Sequence, residues 1–296
     1  MEYRRSWAHQ YLLLEQRLQA MRKGRLNESS SQDCLLLLEH QPVYTLGRGA
    51  DEAHLTFLNQ KDNKDNDEIL QQMRYKLSRK SRGPGTARLA MDRRLDWNQL
   101  FEQYQQDHDA MIDHLLQQVA ASPVLVPTAT GKSVPIYRVE RGGEVTFHGP
   151  NQLVGYPLLN LQNEHYQRDL HWYLRQLEQV IILTLQAYDI TGVRDDINTG
   201  VWVEQHKVAA VGVSASRWIT THGFALNVDP DLSYFDTSTI LPCGIDGRGV
   251  TSMAQILRQR GAEESELPTI LQVADTFLHK MMEVFQVDVE QGPTIS

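Results

Sequence analysis

Arg141-Gly142-Gly143-Glu144-Val145-Thr146-Phe147-His148-Gly149-Pro150-Asn151-Gln152-Leu153-Val154-Gly155-Tyr156-Pro157 sets two short strand-like runs between glycines and prolines. Paired glycines let backbone N–H groups come close to a ligand carbonyl or phosphate, and Arg141 offers a fork of donors. The strand that follows places alternate side chains on one wall. A plain glycine turn is the competing reading, and the stretch matches neither the GxxxxGK[ST] phosphate loop nor the GxGxxG fingerprint.

Working outward, strand-like runs continue on both sides. Val134 to Val139 precedes it; Gly200 to Val203, Lys207 to Val213, Trp218 to Thr221 and Phe224 to Val228 follow. Helical periodicity marks Trp7 to Met21, Asp169 to Tyr188, Ser252 to Arg260 and Leu267 to Phe285, the last with Leu271, Ala274, Leu278 and Met281 or Met282 facing inward. Cys34 to Leu38 and Pro42 to Leu46 read as two buried strands or one bent strand. This order is not a regular βαβ array. It predicts an α+β fold, a single domain with a mixed β-sheet flanked by helices.

The composition bounds the function. The 296 residues are 41% hydrophobic and 22% charged, ordinary values for a folded protein. A net charge of −8 argues against nucleic acid as partner. Glu15 and Arg17 interrupt the apolar N-terminal stretch, so neither a signal peptide nor a membrane span is expected, and two distant cysteines fit a cytoplasmic, reducing setting. From about Asn59 to Arg94 branched apolar residues are few, which predicts an exposed, partly disordered insertion. Arg74, Lys76, Arg79, Lys80, Arg82, Arg88, Arg93 and Arg94 make it basic, either a solvated loop or a docking strip for an acidic partner. A single helix is expected from Trp97 to Ala120.

Chemistry concentrates at a few positions. Cys243, in Leu241-Pro242-Cys243-Gly244-Ile245, lies in a turn with little bulk around it, as a nucleophile requires. Cys34 opens an apolar run and reads as a buried packing residue. Lys207 begins a strand of apolar and small residues and is the candidate cation beside the thiol, although such lysines are commonly surface charges. His148 and His222, each followed by glycine, are the alternative partners, with His222 in a supporting role. No HExxH, GxSxG or paired CxxC pattern occurs, His165 and His171 lack metal spacing, and the adjacent Asp195 and Asp196 read as solvated, so no metal is expected.

The segments 141–157, Lys207 to Val213, Thr221 to Val228, Pro242-Cys243-Gly244-Ile245 and Val250-Thr251-Ser252-Met253 together resemble the lipoyl(octanoyl) transferases. The likeness extends to Glu39-His40-Gln41-Pro42-Val43-Tyr44-Thr45-Leu46-Gly47-Arg48 and leaves out about 57–134. It implies a biotin/lipoate protein ligase-like fold, one catalytic domain over 1–296 interrupted by a charged insertion at about 57–134. It also implies an acyltransferase that moves an octanoyl group from octanoyl-acyl carrier protein to a lysine of lipoyl domains, those of 2-oxoacid dehydrogenases and of the glycine cleavage H protein, through a cysteine thioester and with no cofactor. By position, Cys243 matches the acyl-carrying cysteine and Lys207 the lysine that activates it. Arg141, Gly142, Gly143, Glu144, Val145, Thr146, Phe147, His148, Ala210, Val211, Gly212, Gly223, Phe224 and Ala225 match the acyl-binding segments. Asn151 stands where glycine is usual, a residue that tolerates positive φ; Phe147 replaces a usual tyrosine. The rivals are an ATP-dependent lipoate protein ligase, a non-catalytic module binding acyl carrier protein or a lipoyl domain, and a cysteine thioesterase.

Overall fold

The computed structural model describes residues 1–24, 32–59, 67–78, 80, 86–91, 95–104, 107–119, 121–128, 131–241, 248–292 and 294. In chain order the elements are α1 (Tyr3–Arg22), β1 (Cys34–Leu38), β2 (Val43–Leu46), α2 (Asp67–Leu77), α3 (Trp97–Tyr104), α4 (His108–Gln118), β3 (Val124–Pro127), β4 (Ser133–Arg138), β5 (Val145–His148) and β6 (Gln152–Leu158). Then follow α5 (Leu170–Gln186), β7 (Val193–Arg194), β8 (Val201–Val203), β9 (His206–Ser216), β10 (Ile219–Asn227), β11 (Gly249–Val250), α6 (Met253–Gln259) and α7 (Ile270–Phe285).

The expected mixed sheet is divided in two. A seven-stranded sheet runs β1-β6-β10-β9-β8-β7, with β11 parallel to β9, and a four-stranded sheet runs β3-β4-β2-β5. The segment 38–43 explains the split: β1 and β2 are adjacent in sequence yet pair with β6 and with β4 and β5 respectively. One face of the larger sheet is covered by α5 and α7, with the Phe224 ring stacked 4.3 Å from that of Phe277. On the opposite side Trp7 and Leu12 of α1 pack with Met111, Ile112 and Leu115 of α4. Among the described residues no helix is long and apolar enough to cross a membrane.

Several sequence expectations change. The described part of the insertion is exposed along most of α2, with Ile69 and Tyr75 open to solvent, yet it is anchored: Leu77, Ala87 and Leu89 are buried, the first two against Ile136 and Phe147 of the smaller sheet. Those few apolar residues suffice because they sit where α2 and the 86–91 segment meet that sheet. The helix from Trp97 is two helices, and Asp107 caps the second by accepting from Ala110 N at 3.0 Å. Ala120, Arg79, Arg82, Arg93 and Arg94 lie outside the described residues. Along α7 the inward row is Val273, Phe277, Met281 and Phe285, and Leu271 is 79% exposed, because the sheet selects the aromatic face. The Trp218 and Phe224 runs form one strand, β10, interrupted by a left-handed residue at His222 (φ 58°). Cys34 is half-buried on edge strand β1, where burial pushes its thiol pKa up. Asn151 takes the positive φ of 60° that its side chain tolerates.

Candidate active site

A cavity of about 240 Å³ opens between the two sheets. Its walls are residues 141–146 and His148 from one side, and Lys207, 210–212 and 222–225 from the other; Tyr3, Tyr156 and 197–199 complete it. The sequence pattern explains the hollow. Ala210 faces Ala225 and Gly212 faces Gly223 across β9 and β10, so four successive inward positions carry at most a methyl group. Gly212 also lets the 141–143 segment dock, since a Cβ there would stand 3.0 Å from Gly142 O, and Gly142 N donates to Val213 O at 2.9 Å. Gly223 is tighter still: a Cβ would lie 2.2 Å from Gly155 O.

Phe147 is the exception among the expected acyl-binding residues. Pleating turns it to the opposite face of β5, where its ring stacks 4.4 Å from Tyr234 in the core of the smaller sheet. The missing tyrosine hydroxyl therefore leaves the cavity unaltered. Arg141 also differs from expectation. Its fork donates to Thr45 O at 2.8 Å, Thr45 Oγ1 at 2.7 Å and Gly142 O at 3.0 Å, so these donors fix the wall. Glu144 accepts from Asp51 N at 3.1 Å and pairs with His54 Nδ1 at 2.9 Å, tying the wall to the 51–54 loop.

A buried polar chain runs behind this wall. Because Thr45 Oγ1 accepts from Arg141, its hydroxyl proton is free to reach His148 Nε2 at 3.3 Å. His148 Nδ1 then donates to Gln152 Oε1 at 2.9 Å, and Gln152 Nε2 to Asn227 Oδ1 at 2.8 Å. This arrangement suits a neutral imidazole, and burial, helped by the Arg141 charge, pushes the His148 pKa down to about 3. His222 N donates to Gln10 Oε1 at 2.7 Å, and its Nε2 lies 3.7 Å from Glu140 Oε2.

Burial of neutral histidine has a pH consequence. The unfolded group titrates near its ordinary 6.5 and the folded one near 3, so the unfolded state binds the extra proton between those values. Stability contributed by His148 is thus complete above about 6.5 and declines as pH falls toward 3, by up to about 1.4 kcal/mol per pH unit. Urea unfolding at pH 6.5 and 4.5 checks this: His148→Gln is expected to lose less stability over the interval than the parent. Equal losses would mean that His148 is protonated in the fold.

Lys207 is 6% exposed on β9, opposite Trp202 of β8. Its Nζ donates to Thr199 O at 3.0 Å and lies 4.7 Å from the centroid of the Trp202 ring. Cys243 falls in 242–247, outside the described residues. The flanks of that segment are fixed: Leu241 N donates to His54 O at 2.8 Å, and Val250 pairs in register with Lys207. Tyr3, Tyr156 and Thr199 escaped the sequence reading. Tyr156 sits inside the opening stretch, two residues from Val154 on the same strand face, and alternation could have found it; Thr199 acts through its carbonyl, which leaves no side-chain signal.

The lipoyl protein ligase A/B catalytic domain family matches residues 116–281, more than half of the chain. An octanoyltransferase of Synechococcus elongatus is 39% identical over 255 residues, 86% of this chain and 74% of that protein. One from a Nostoc species is 37% identical over 267 residues, 90% of this chain and 87% of that protein. Among solved structures, a Thermoplasma acidophilum protein assigned to the lipoate protein ligases, with bound lipoic acid, superposes with a TM-score of 0.52 at 10% identity, over 97% of this chain and 82% of that one. Lipoate-protein ligase A bound with ATP gives 0.50 at 11% identity, over 98% and 83%. At such identities the structural likeness speaks for the fold alone.

Proposed function

The chain belongs to the octanoyltransferases of the lipoyl protein ligase A/B catalytic family, acyltransferases of protein lipoylation, and from that premise we propose a cysteine-based transfer from acyl carrier protein to a lipoyl domain. We read it as one catalytic domain interrupted at about 57–134. The observation that carries the proposal is the cavity that meets a buried lysine. A cavity of about 150 Å³ holds the six heavy atoms of benzene. By that scale 240 Å³ holds roughly nine or ten, and an octanoyl group has nine.

The chemistry follows from the thioester donor. Lys207 Nζ takes the Cys243 thiol proton, and the thiolate attacks the octanoyl carbonyl carbon. The carrier thiolate leaves and takes a proton, giving a Cys243 thioester. The acceptor lysine amine then attacks the same carbon, an amide forms, and the Cys243 thiolate departs, to be reprotonated through Lys207. Gly142 N is already engaged by Val213 O, so the oxyanion is stabilised by other donors. No nucleotide enters, because the thioester already carries the activation.

The test is to incubate the protein with octanoyl-acyl carrier protein and a lipoyl domain, without ATP, and to weigh the products. Octanoylation of the lipoyl domain is expected. A requirement for ATP and free octanoate would turn the reading to a ligase; free octanoate as the sole product would turn it to a thioesterase.

A further inference from the structure

The surroundings of Lys207 close into a ring of contacts that the acyl-binding segments do not include. Lys207 Nζ donates to Thr199 O at 3.0 Å. Thr199 follows a tight turn capped by Asp195, whose Oδ1 accepts from Ile197 N at 3.0 Å and Asn198 N at 2.8 Å. The other oxygen of Asp195 accepts from Arg248 Nη1 at 2.5 Å. The Arg248 guanidinium carbon lies 3.7 Å from the centroid of the Trp202 ring, the ring that Lys207 also contacts.

Each link has a physical role. The Arg248 charge holds the Asp195 carboxyl well below the usual carboxylate range, so Asp195 stays ionised as the hub of the turn. A planar guanidinium stacks on an indole while its fork donates at the edge, which a lysine at 248 cannot reproduce. Immediately after Arg248 the chain enters β11, whose Val250 pairs with Lys207, and the next residue, Thr251, donates its N–H to Lys207 O at 3.0 Å, fixing the same residue by its backbone. Arg248 is also five residues after Cys243 in the sequence.

We propose that Asp195, Arg248 and Trp202 are positioning residues that hold the Lys207 amine at the reacting centre. This rests on the reading of Cys243 and Lys207 as the reacting pair. None of the three is required to touch substrate; they act through Lys207, so their loss falls on the rate of acylation and not on capture of the donor.

The experiment measures the single-turnover rate of octanoyl adduct formation on Cys243 from octanoyl-acyl carrier protein, together with the donor KM and the melting temperature. Asp195→Asn keeps the Oδ1 acceptor that caps the turn while replacing the oxygen that faces Arg248 with an amide donor and removing the charge; Arg248→Gln removes its partner. Each is expected to slow acylation about 10–100-fold with the donor KM within about threefold, since small misplacements at a reacting centre reach that size. Because the pair acts as a unit, the double variant is expected to lose no more than the worse single one. Acylation near the parental rate in the single variants, a loss carried by KM, or additive losses would each overturn the clamp. Absence of any adduct in the parent protein removes the reading of Cys243, and the clamp with it. Should Asp195→Asn fail to fold, Arg248→Gln decides alone, because Arg248 is partly exposed and its loss strands no fully buried charge.

Discussion

Cys243→Ser is expected to lose about 10³-fold or more in octanoyl transfer and to accumulate no acylated protein on incubation with octanoyl-acyl carrier protein. A thiol near neutral pH supplies a few per cent of intrinsically strong thiolate nucleophile, whereas a serine hydroxyl needs a much stronger base to reach the same state. The chain contains its own control. Cys34, the other cysteine, sits on an edge strand packed with Val154 and Leu158, and burial pushes its thiol up. Cys34→Ser is therefore expected to transfer as the parent does. Intact-mass spectrometry on both variants distinguishes the outcomes: an adduct that persists in Cys243→Ser, or undiminished transfer by it, removes the covalent route.

What the sequence made legible was largely what is local. The runs 210–212 and 223–225 are marked as acyl-binding by the resemblance of their local sequence, and the pairing of Ala210 with Ala225 brings the two together. The division into two sheets could not be read so, since β1 and β2 look alike as apolar runs and only long-range partners separate them. Phe147 lies within the matched acyl-binding segment yet outside the cavity for a related reason: alternation says that neighbours in β5 point apart, but not which set meets the cavity. The insertion misled through composition. Its polar surface outnumbers Leu77, Ala87 and Leu89, which nevertheless decide where it packs.

The polar chain from Arg141 to Asn227 illustrates how such a site keeps its shape. An acyl pocket lined by alanines and glycines gains little rigidity from side-chain packing, because small residues make few contacts. Hydrogen bonds behind the wall take over that role. Arg141, Thr45, His148 and Gln152 link β2, β5 and the start of β6, and Asn227 carries the link onto β10, so both sheets are held across the cavity. Asn227 Nδ2 continues to Thr251 O at 2.9 Å, next to the strand that fixes Lys207. Wall and lysine thus share one network, whose links from Thr45 through Asn227 to Thr251 hold the geometry.

Lys207→Arg is expected to be as damaging as Lys207→Met, each lowering the single-turnover acylation rate by about 10²–10⁴-fold. The comparison separates two roles for the residue. Arginine can keep the donor to Thr199 O, the place over Trp202 and the positive charge, but its guanidinium does not give up its proton in proteins. If Lys207 served only as a fixed cation beside a thiolate, arginine would preserve most of the rate and methionine little. If it accepts the thiol proton and later returns it, both substitutions fail alike, and the second step, transfer from Cys243 to the lipoyl-domain lysine, slows with the first. Melting temperatures accompany the kinetics, because Lys207 is buried and its stem runs close past Gly200, where an added Cβ would stand 3.3 Å from Lys207 Cε, which leaves little room for a larger head group. A folded Lys207→Arg protein with near-parental acylation would reduce Lys207 to a charge; a near-parental Lys207→Met protein would remove it from the chemistry.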